Sequence, residues 1–142
     1  MSERSFVDTS VWVYAVDDAD PVKQARARAA VEPGPDVDLV ISAQVLTEFY
    51  VVTTRKLARP LAPAAAAALV EQLAKLPVVP LDVRLVTAAI AGSREWGISP
   101  WDALVVRAAE VAGCTRLLTE DLANGTSYGS VRVENPFAAP AG

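Results

Sequence analysis

Short apolar runs that alternate with longer helical segments are the feature that most constrains the fold of this chain. Strands are predicted at residues 5–7, 39–41, 78–81, 116–118 and 131–133. Continuous apolar strands are typical of parallel sheets that helices cover on both faces. The alternation therefore predicts an α/β fold with a mainly parallel central sheet flanked by helices. No linker or repeat interrupts the pattern, so we expect a single domain over residues 1–142.

Polar residues at the ends of these runs predict where the helices begin and end. We expect Thr9 or Ser10 to cap the first helix and Ser42 to cap a helix that extends to about Lys56. Asp82 is expected to cap a later helix that ends at Gly97. Further helices are predicted at residues 22–31, from about 63 to before 77, and 100–112.

The composition excludes several kinds of catalytic chemistry. The chain has no histidine and one cysteine, so imidazole bases, His-ligated metals, thiolate clusters and internal disulfides are all excluded. Carboxylates, hydroxyls, lysine, arginine and hard metal ions remain. The net charge of −4 argues against nonspecific coating of DNA but not against an enzyme that acts on nucleic acid.

Nothing in the sequence indicates a membrane protein. The longest uncharged run, residues 60–70, is shorter than the ~20 apolar residues that a spanning helix needs. Asp8 interrupts the only early apolar stretch, so no signal peptide is expected. The near absence of cysteine fits a reducing compartment, and we expect a cytoplasmic protein.

Two aspartates follow predicted strands at the edge where α/β proteins bind ligands. Asp8 comes directly after the first strand, and Asp121 lies three residues beyond the strand at 116–118. If these strands are neighbours, both carboxylates lie at the same edge of the sheet. The alternative is that each is an ordinary turn or cap aspartate.

Two further acids have both a structural and a functional interpretation. Asp102 completes a capping box with Ser99, and the same position directs it from a helix N-terminus towards the strand ends. Glu48 lies on a helix that is apolar around most of its circumference, where a buried carboxylate needs a cation or hydrogen bonds. Contact with solvent, or a hydrogen bond to Gln44 one turn earlier, is the alternative.

Together, Asp8, Glu48, Asp102 and Asp121 form a candidate cluster of hard oxygen ligands. Clustered carboxylates raise each other's pKa unless a cation compensates their charge. Without His or Cys, the ion expected at such a site is Mg²⁺ or Mn²⁺. Such an ion supports phosphodiester hydrolysis.

These residues lie in motifs that resemble those of PIN-domain nucleases, and in particular VapC toxins. The resemblance covers essentially the whole chain and is carried by segments 6–14 (FVDTSVWVY), 101–104 (WDAL), 117–122 (LLTEDL) and 128–137, with Glu48 in the helix after the second strand. It implies a three-layer α/β/α PIN-like domain. It also implies a metal-dependent endoribonuclease, the toxin of a type II toxin–antitoxin pair, with a VapB-type antitoxin and a homodimeric state.

The resemblance also assigns roles to individual residues. Asp8, Asp102 and Asp121 would hold the metal, and Glu48 would orient or deprotonate the attacking water. Ser10 and Thr119 match supporting hydroxyl positions, and Glu120 is a possible spare ligand. For a homodimer, the sequence offers the apolar surplus on the helices at 45–53 and 64–76.

An RNA substrate requires basic residues near the acidic site. Arg55, Lys56 and Arg59 cluster after the Glu48 helix, and Arg26 and Arg28 cluster on another helix. The first cluster is the candidate RNA-binding surface. A solvated helix face is the alternative for both clusters.

Three other functional classes also have to be considered for a chain with an aspartate after its first strand. A HAD-type phosphatase needs a second aspartate two positions later, where this chain has Ser10. A receiver domain needs a lysine after a late strand, and no lysine follows Lys75. A catalytically weak PIN-fold module that only binds RNA or protein stays open as the alternative.

Overall fold

The computed structural model describes residues 3–138, which form six helices and one six-stranded sheet. The strands are β1 (Arg4–Val7), β2 (Asp38–Ser42), β3 (Val78–Val79), β4 (Arg116–Leu118), β5 (Ser127–Tyr128) and β6 (Val131–Glu134). The helices are α1 (Thr9–Val16), α2 (Pro21–Ala30), α3 (Ala43–Arg55), α4 (Pro63–Leu73), α5 (Val83–Trp96) and α6 (Pro100–Val111).

The sheet has the order β3-β2-β1-β4-β6-β5, and every pair is parallel except β5–β6. Helices lie on both faces, so the predicted three-layer α/β/α arrangement is confirmed. On one face α6 packs against the sheet and α5 packs against α6, whereas α1 packs against both α2 and α3. The largest fully buried side chains include Phe6, Ile41, Phe49, Val106 and Leu117.

The register of the two central strands determines where the acidic site lies. Val7 pairs with Leu118 across β1 and β4. The backbone N–H of Asp8 donates to the Leu118 carbonyl at 3.0 Å, which extends the pairing one residue beyond β1. Asp8 and the segment after Leu118 therefore leave the sheet side by side.

Most predicted helix caps are confirmed, and one is wrong. The side chains of Ser42, Asp82 and Ser99 each accept a backbone N–H three residues later. Gly97 ends α5 in the left-handed conformation, with φ of 67°. The first helix is capped by Asp8 rather than by Thr9 or Ser10, because Asp8 Oδ1 accepts the Thr9 N–H at 2.8 Å.

Strand β5 is not predicted from the sequence. This strand has only two residues, Ser127 and Tyr128, and it pairs only with β6. A tight turn joins the two strands, and Gly129 in that turn has φ of 58°. So short a strand has no hydrophobic period to recognise. Within residues 3–138, no helix is long and apolar enough to cross a membrane.

Candidate acidic active site

Asp8 lies at the centre of the acidic site and is almost fully buried, with 5% of its surface exposed. Its Oδ1 accepts the N–H of Thr9, and its Oδ2 accepts the hydroxyl of Thr119 at 2.8 Å. The same Thr119 oxygen accepts the backbone N–H of Asp121 at 3.1 Å. One threonine therefore links the ends of β1 and β4 and holds the two aspartates beside each other.

Glu48 reaches the same site from α3. Its Oε2 accepts the Thr9 hydroxyl at 2.9 Å, and its Oε1 accepts Gln44 Nε2 at 2.9 Å. The Gln44 contact that the sequence left as an alternative is thus present. It does not turn Glu48 away from the site, because this carboxylate is also hydrogen-bonded to Thr9, the residue next to Asp8.

A cavity of about 440 Å³ opens beside these residues. Its lining comes from α1, the α1–α2 turn, α3 with the residues that follow it, and the loop after β4: Thr9, Ser10, Val13, Tyr14, Asp17, Ala19, Glu48, Val52, Lys56, Leu57, Ala58, Glu120 and Asp121. Asp8 and Asp102 are not part of this lining: Asp8 is buried, and Asp102 lies in the first turn of α6.

The carboxylates of the site disturb one another's titration. The pKa of Asp8 is raised to about 7: burial is the largest cause, the charges of Asp121 and Glu48 add to it, and the hydrogen bonds from Thr9 and Thr119 act in the opposite direction. The pKa of Asp121 is also raised. Burial is the largest cause, and the charges of Asp102, Glu120 and Glu48 raise it further. Asp102 thus lies close enough to act electrostatically on the site. A cation in place of the proton on Asp8 would relieve this repulsion.

The donor set fits a hard divalent cation, but in a particular way. Across residues 3–138, no group of three or more acidic, cysteine or histidine side chains is arranged to hold a metal ion. Mg²⁺ commonly keeps several waters and binds through only one or two carboxylates. The adjacent oxygens of Asp8 and Asp121 fit that mode, with Glu48 and Asp102 as further negative charge.

The supporting residues predicted from sequence have different positions. Ser10 lines the cavity, and its buried Oγ has no hydrogen-bond partner among the described residues. Thr119 binds Asp8, as described above. Glu120 lines the cavity but forms an ion pair of 3.0 Å with Lys23.

Of the basic residues predicted to lie near the site, only some are found there. Lys56 lines the cavity, whereas Arg59 pairs with Asp18 at 2.9 Å and Arg55 is exposed in the last turn of α3. On α2, Arg26 and Arg28 donate to backbone carbonyls, which is a structural role.

Sequence reasoning missed the part that Thr9, Tyr14 and Lys23 take in the site. Thr9 had been considered only as a helix cap, although its position next to Asp8 was a usable signal. For Tyr14 and Lys23 the sequence carries no signal, since Lys23 joins the site through Glu120, 97 residues away in the chain, and Tyr14 joins it through Lys23.

This chain combines a three-layer α/β/α fold with acidic residues at the carboxyl ends of its central parallel strands. These two features make it an α/β domain with an acidic site. The family model for the PIN domain matches residues 5–123. The chain therefore belongs to the PIN domain family. A comparison with curated protein sequences finds no match.

Solved structures share this fold at low sequence identity. A toxin–antitoxin complex from Klebsiella pneumoniae is 15% identical with a TM-score of 0.69, and the match covers 95% of this chain and 99% of that one. VapC20 of Mycobacterium tuberculosis, described as a sarcin-ricin loop cleaving toxin, is 24% identical with a TM-score of 0.58, covering 80% and 86%. DNA-bound VapBC from Salmonella typhimurium is 18% identical with a TM-score of 0.64, covering 96% and 99%.

Proposed function

We propose that this chain is a Mg²⁺- or Mn²⁺-dependent endoribonuclease and the toxin of a VapBC-type pair, acting in the cytoplasm. The observation that carries the proposal is that Glu48 and Asp121 line one cavity of a PIN fold, with the buried Asp8 held beside them through Thr9 and Thr119. The fold likeness to toxin chains supports the toxin role.

In the proposed reaction, Asp8 and Asp121 would hold the cation, with Asp102 contributing charge or a water-mediated contact. A bound cation would supply positive charge that stabilises the scissile phosphate and would lower the pKa of water. Thr119 keeps Asp8 oriented through its hydroxyl, as the 2.8 Å hydrogen bond supports.

Glu48 is the proposed base. Thr9 and Gln44 each donate to one of its oxygens and so restrict its orientation. Glu48 takes a proton from the attacking water as the water oxygen bonds to phosphorus, and the leaving ribose oxygen departs with the bonding electron pair. Ser10 lines the same cavity, but its unpartnered hydroxyl is buried, so its proposed role is to support the site and not to bind the phosphate.

The test is cleavage of purified cellular RNA by the wild-type protein with Mg²⁺, by the same protein with EDTA, and by Asp8→Asn with Mg²⁺. We expect cleavage only in the first reaction, restored after EDTA by added Mg²⁺. Circular dichroism establishes that Asp8→Asn is folded. Equal cleavage in all three reactions would overturn the proposal and indicate a contaminating nuclease.

The proposal includes a VapB-type antitoxin that covers the acidic cavity. An arginine inserted from the antitoxin suits a cavity lined by Asp17, Glu48, Glu120 and Asp121. A VapB-type antitoxin from the same genome, co-expressed with this chain, should copurify with it and stop RNA cleavage. Undiminished cleavage by the copurified complex would count against this part.

The proposal also includes a homodimer. The helices expected to carry the interface expose little large apolar surface apart from Tyr50 and Val51, each 36% exposed on α3. On α5, Val83, Val86 and Ile90 follow helical spacing and are 81%, 38% and 51% exposed, so this face is a better candidate. Light scattering should show a dimer that Ile90→Glu weakens. A single 15.0 kDa species for the wild type would contradict it.

One observation favours the second candidate, a catalytically weak module that binds RNA or protein. It is the lack of a preassembled group of three acids within residues 3–138. Calorimetric titration with Mn²⁺ separates the two functions, because a nuclease must bind the ion and lose that binding in Asp121→Asn. A docking module has no such requirement.

A further inference from the structure

A lysine at the edge of the acidic cavity has an unusually well-defined position. Lys23 lies in the first turn of α2, and its Nζ is 3.0 Å from Glu120 Oε2 and 3.2 Å from the Tyr14 hydroxyl. The ammonium also lies 4.4 Å from the centre of the Tyr14 ring and 5.3 Å from that of Phe137. Because Glu120 and Tyr14 both line the cavity, these contacts hold a positive charge at its edge.

A second lysine lines the same cavity. Strands β2 and β4 flank β1 on opposite sides. Lys23 is bound to the loop after β4 through Glu120, whereas Lys56 lines the cavity at the end of α3, the helix that follows β2. The acidic cavity therefore has one lysine in its lining and another at its edge, and an extended polyanion that crosses the site needs such cations.

We propose that Lys23 binds a phosphate of the RNA next to the scissile one, and that Glu120 and Tyr14 position its ammonium for this contact. The inference rests on the proposed ribonuclease function and adds a residue that binds substrate. Glu120 is then the partner that positions a lysine, and not the spare metal ligand expected from sequence.

The capacity of the ammonium supports this role. An ammonium has three N–H donors, and among the described residues only Glu120 and Tyr14 accept hydrogen bonds from Nζ. One donor is left for a phosphate oxygen, and a third of the side-chain surface is exposed. A lysine held in place loses less rotamer freedom when it binds than a free surface lysine does.

Binding of RNA without cleavage tests the contact. In the Asp8→Asn background, fluorescence anisotropy measures the affinity for a labelled single-stranded RNA of mixed sequence at several salt concentrations. Lys23→Met should weaken binding about 5- to 10-fold and reduce the salt slope by about 0.7, the value of one phosphate contact on a single strand. Lys23→Arg keeps the charge and should retain most of the affinity.

Lys75→Met is the matched control. Lys75 lies beyond the end of α4, its Nζ bonds Gln72, and it does not line the cavity. Its substitution removes the same charge and should change the affinity less than 2-fold. If Lys23→Met and Lys75→Met bind RNA equally, the proposal is overturned. If no variant binds RNA, the proposed function fails first, and this contact fails with it.

A purely structural role for Lys23 gives a different result. If Lys23 only connects α2 to the loop after β4, Lys23→Met should lower the melting temperature and leave the salt slope as in the Asp8→Asn parent. That result would overturn the proposal. With Asp8 intact, Lys23→Met should raise KM more than it lowers kcat. Lys23→Arg should recover KM even where Lys23→Met is too unstable to assay.

Discussion

The two edges of the central sheet, where the parallel strands begin and where they end, differ in how their acidic residues are paired. At the N-terminal edge, acids have arginine partners: Arg4 pairs with Asp38 at 3.0 Å, and Arg132 lies 3.6 Å from Glu3. At the C-terminal edge, Asp8 and Asp121 lie beside other acids, and their pKa values rise.

The difference shows that the acidic edge is not required by the fold. Exposed ion pairs such as Arg4–Asp38 contribute roughly 0–1 kcal/mol to stability. A buried carboxylate without a cationic partner lowers stability once it is ionised. The chain tolerates that cost at the edge where a bound cation would remove it, and we expect function to depend on that edge alone.

Substitution of one aspartate at each edge should show the largest contrast. Asp121→Asn removes a proposed metal ligand and should lower RNA cleavage at least about 1,000-fold, since charge compensation at the phosphate is lost. Asp38→Asn removes one charge from the opposite edge and should leave the rate within about 2-fold. The measurement is the initial rate on a labelled RNA with Mg²⁺. Similar rates for the two variants would contradict a functional difference between the edges.

The pH dependence of stability should separate the edges next. The pKa of Asp8 is raised from 3.8 to about 7 in the fold, so the folded state binds this proton more tightly than the unfolded chain. The resulting stability is complete below pH ~4 and is lost as the pH rises to ~7, by up to about 4 kcal/mol in the absence of metal.

Urea unfolding in EDTA at a series of pH values measures this dependence. Asp8→Asn should flatten the slope between pH 4 and 7, and added Mn²⁺ should restore stability to the wild type at pH 7.5. Asp38→Asn, as the control, should keep the wild-type slope in this range. If the wild type and Asp8→Asn lose stability in parallel, the raised pKa of Asp8 is wrong.

Glu48 should have a smaller effect on cleavage than Asp121. Glu48→Gln keeps an oxygen for Thr9 or Gln44 but removes the proposed base, so the rate should fall about 100-fold. Mn²⁺ affinity, measured by calorimetry, should fall less than in Asp121→Asn. Loss of both properties to the same extent would make Glu48 a metal ligand instead of a base.

The smallest effect is expected from the pair at the N-terminal edge. Arg4→Met breaks the contact with Asp38 and should lower the free energy of unfolding by about 1 kcal/mol or less. The loss should shrink in 1 M salt, because screening weakens exposed pairs. A loss above about 2 kcal/mol would show that the Arg4–Asp38 pair contributes more to stability than an exposed ion pair does.

Much of the fold could be predicted because its signals are local. Apolar runs such as 39–41, and caps such as Ser42 and Ser99, depend on residues within a few positions of one another. The two-residue strand β5 and the capping role of Asp8 were missed, because the first has no period and the second depends on where β1 ends.

The site was predicted less completely. Its acids follow from the strand-end rule and the family motifs, which are properties of the chain. The partners of those acids follow from neighbours in space, as Glu120 illustrates: it was considered a spare ligand, and it binds a lysine on a distant helix.

By itself, the sequence determined the α/β class, the order of the acids along the chain and the exclusion of histidine and thiolate chemistry. Spacing and composition are enough for these, since they need no knowledge of distant contacts. Only the tertiary structure decided that Thr119 links Asp8 to Asp121, that Thr9 holds Glu48 beside them, and that Lys23 lies at the edge of the cavity. The physical reason is that hydrogen bonds and charge coupling depend on distances in space, which the register of β1 on β4 sets for Asp8 and Thr119 and the packing of α3 and α2 sets for Glu48 and Lys23.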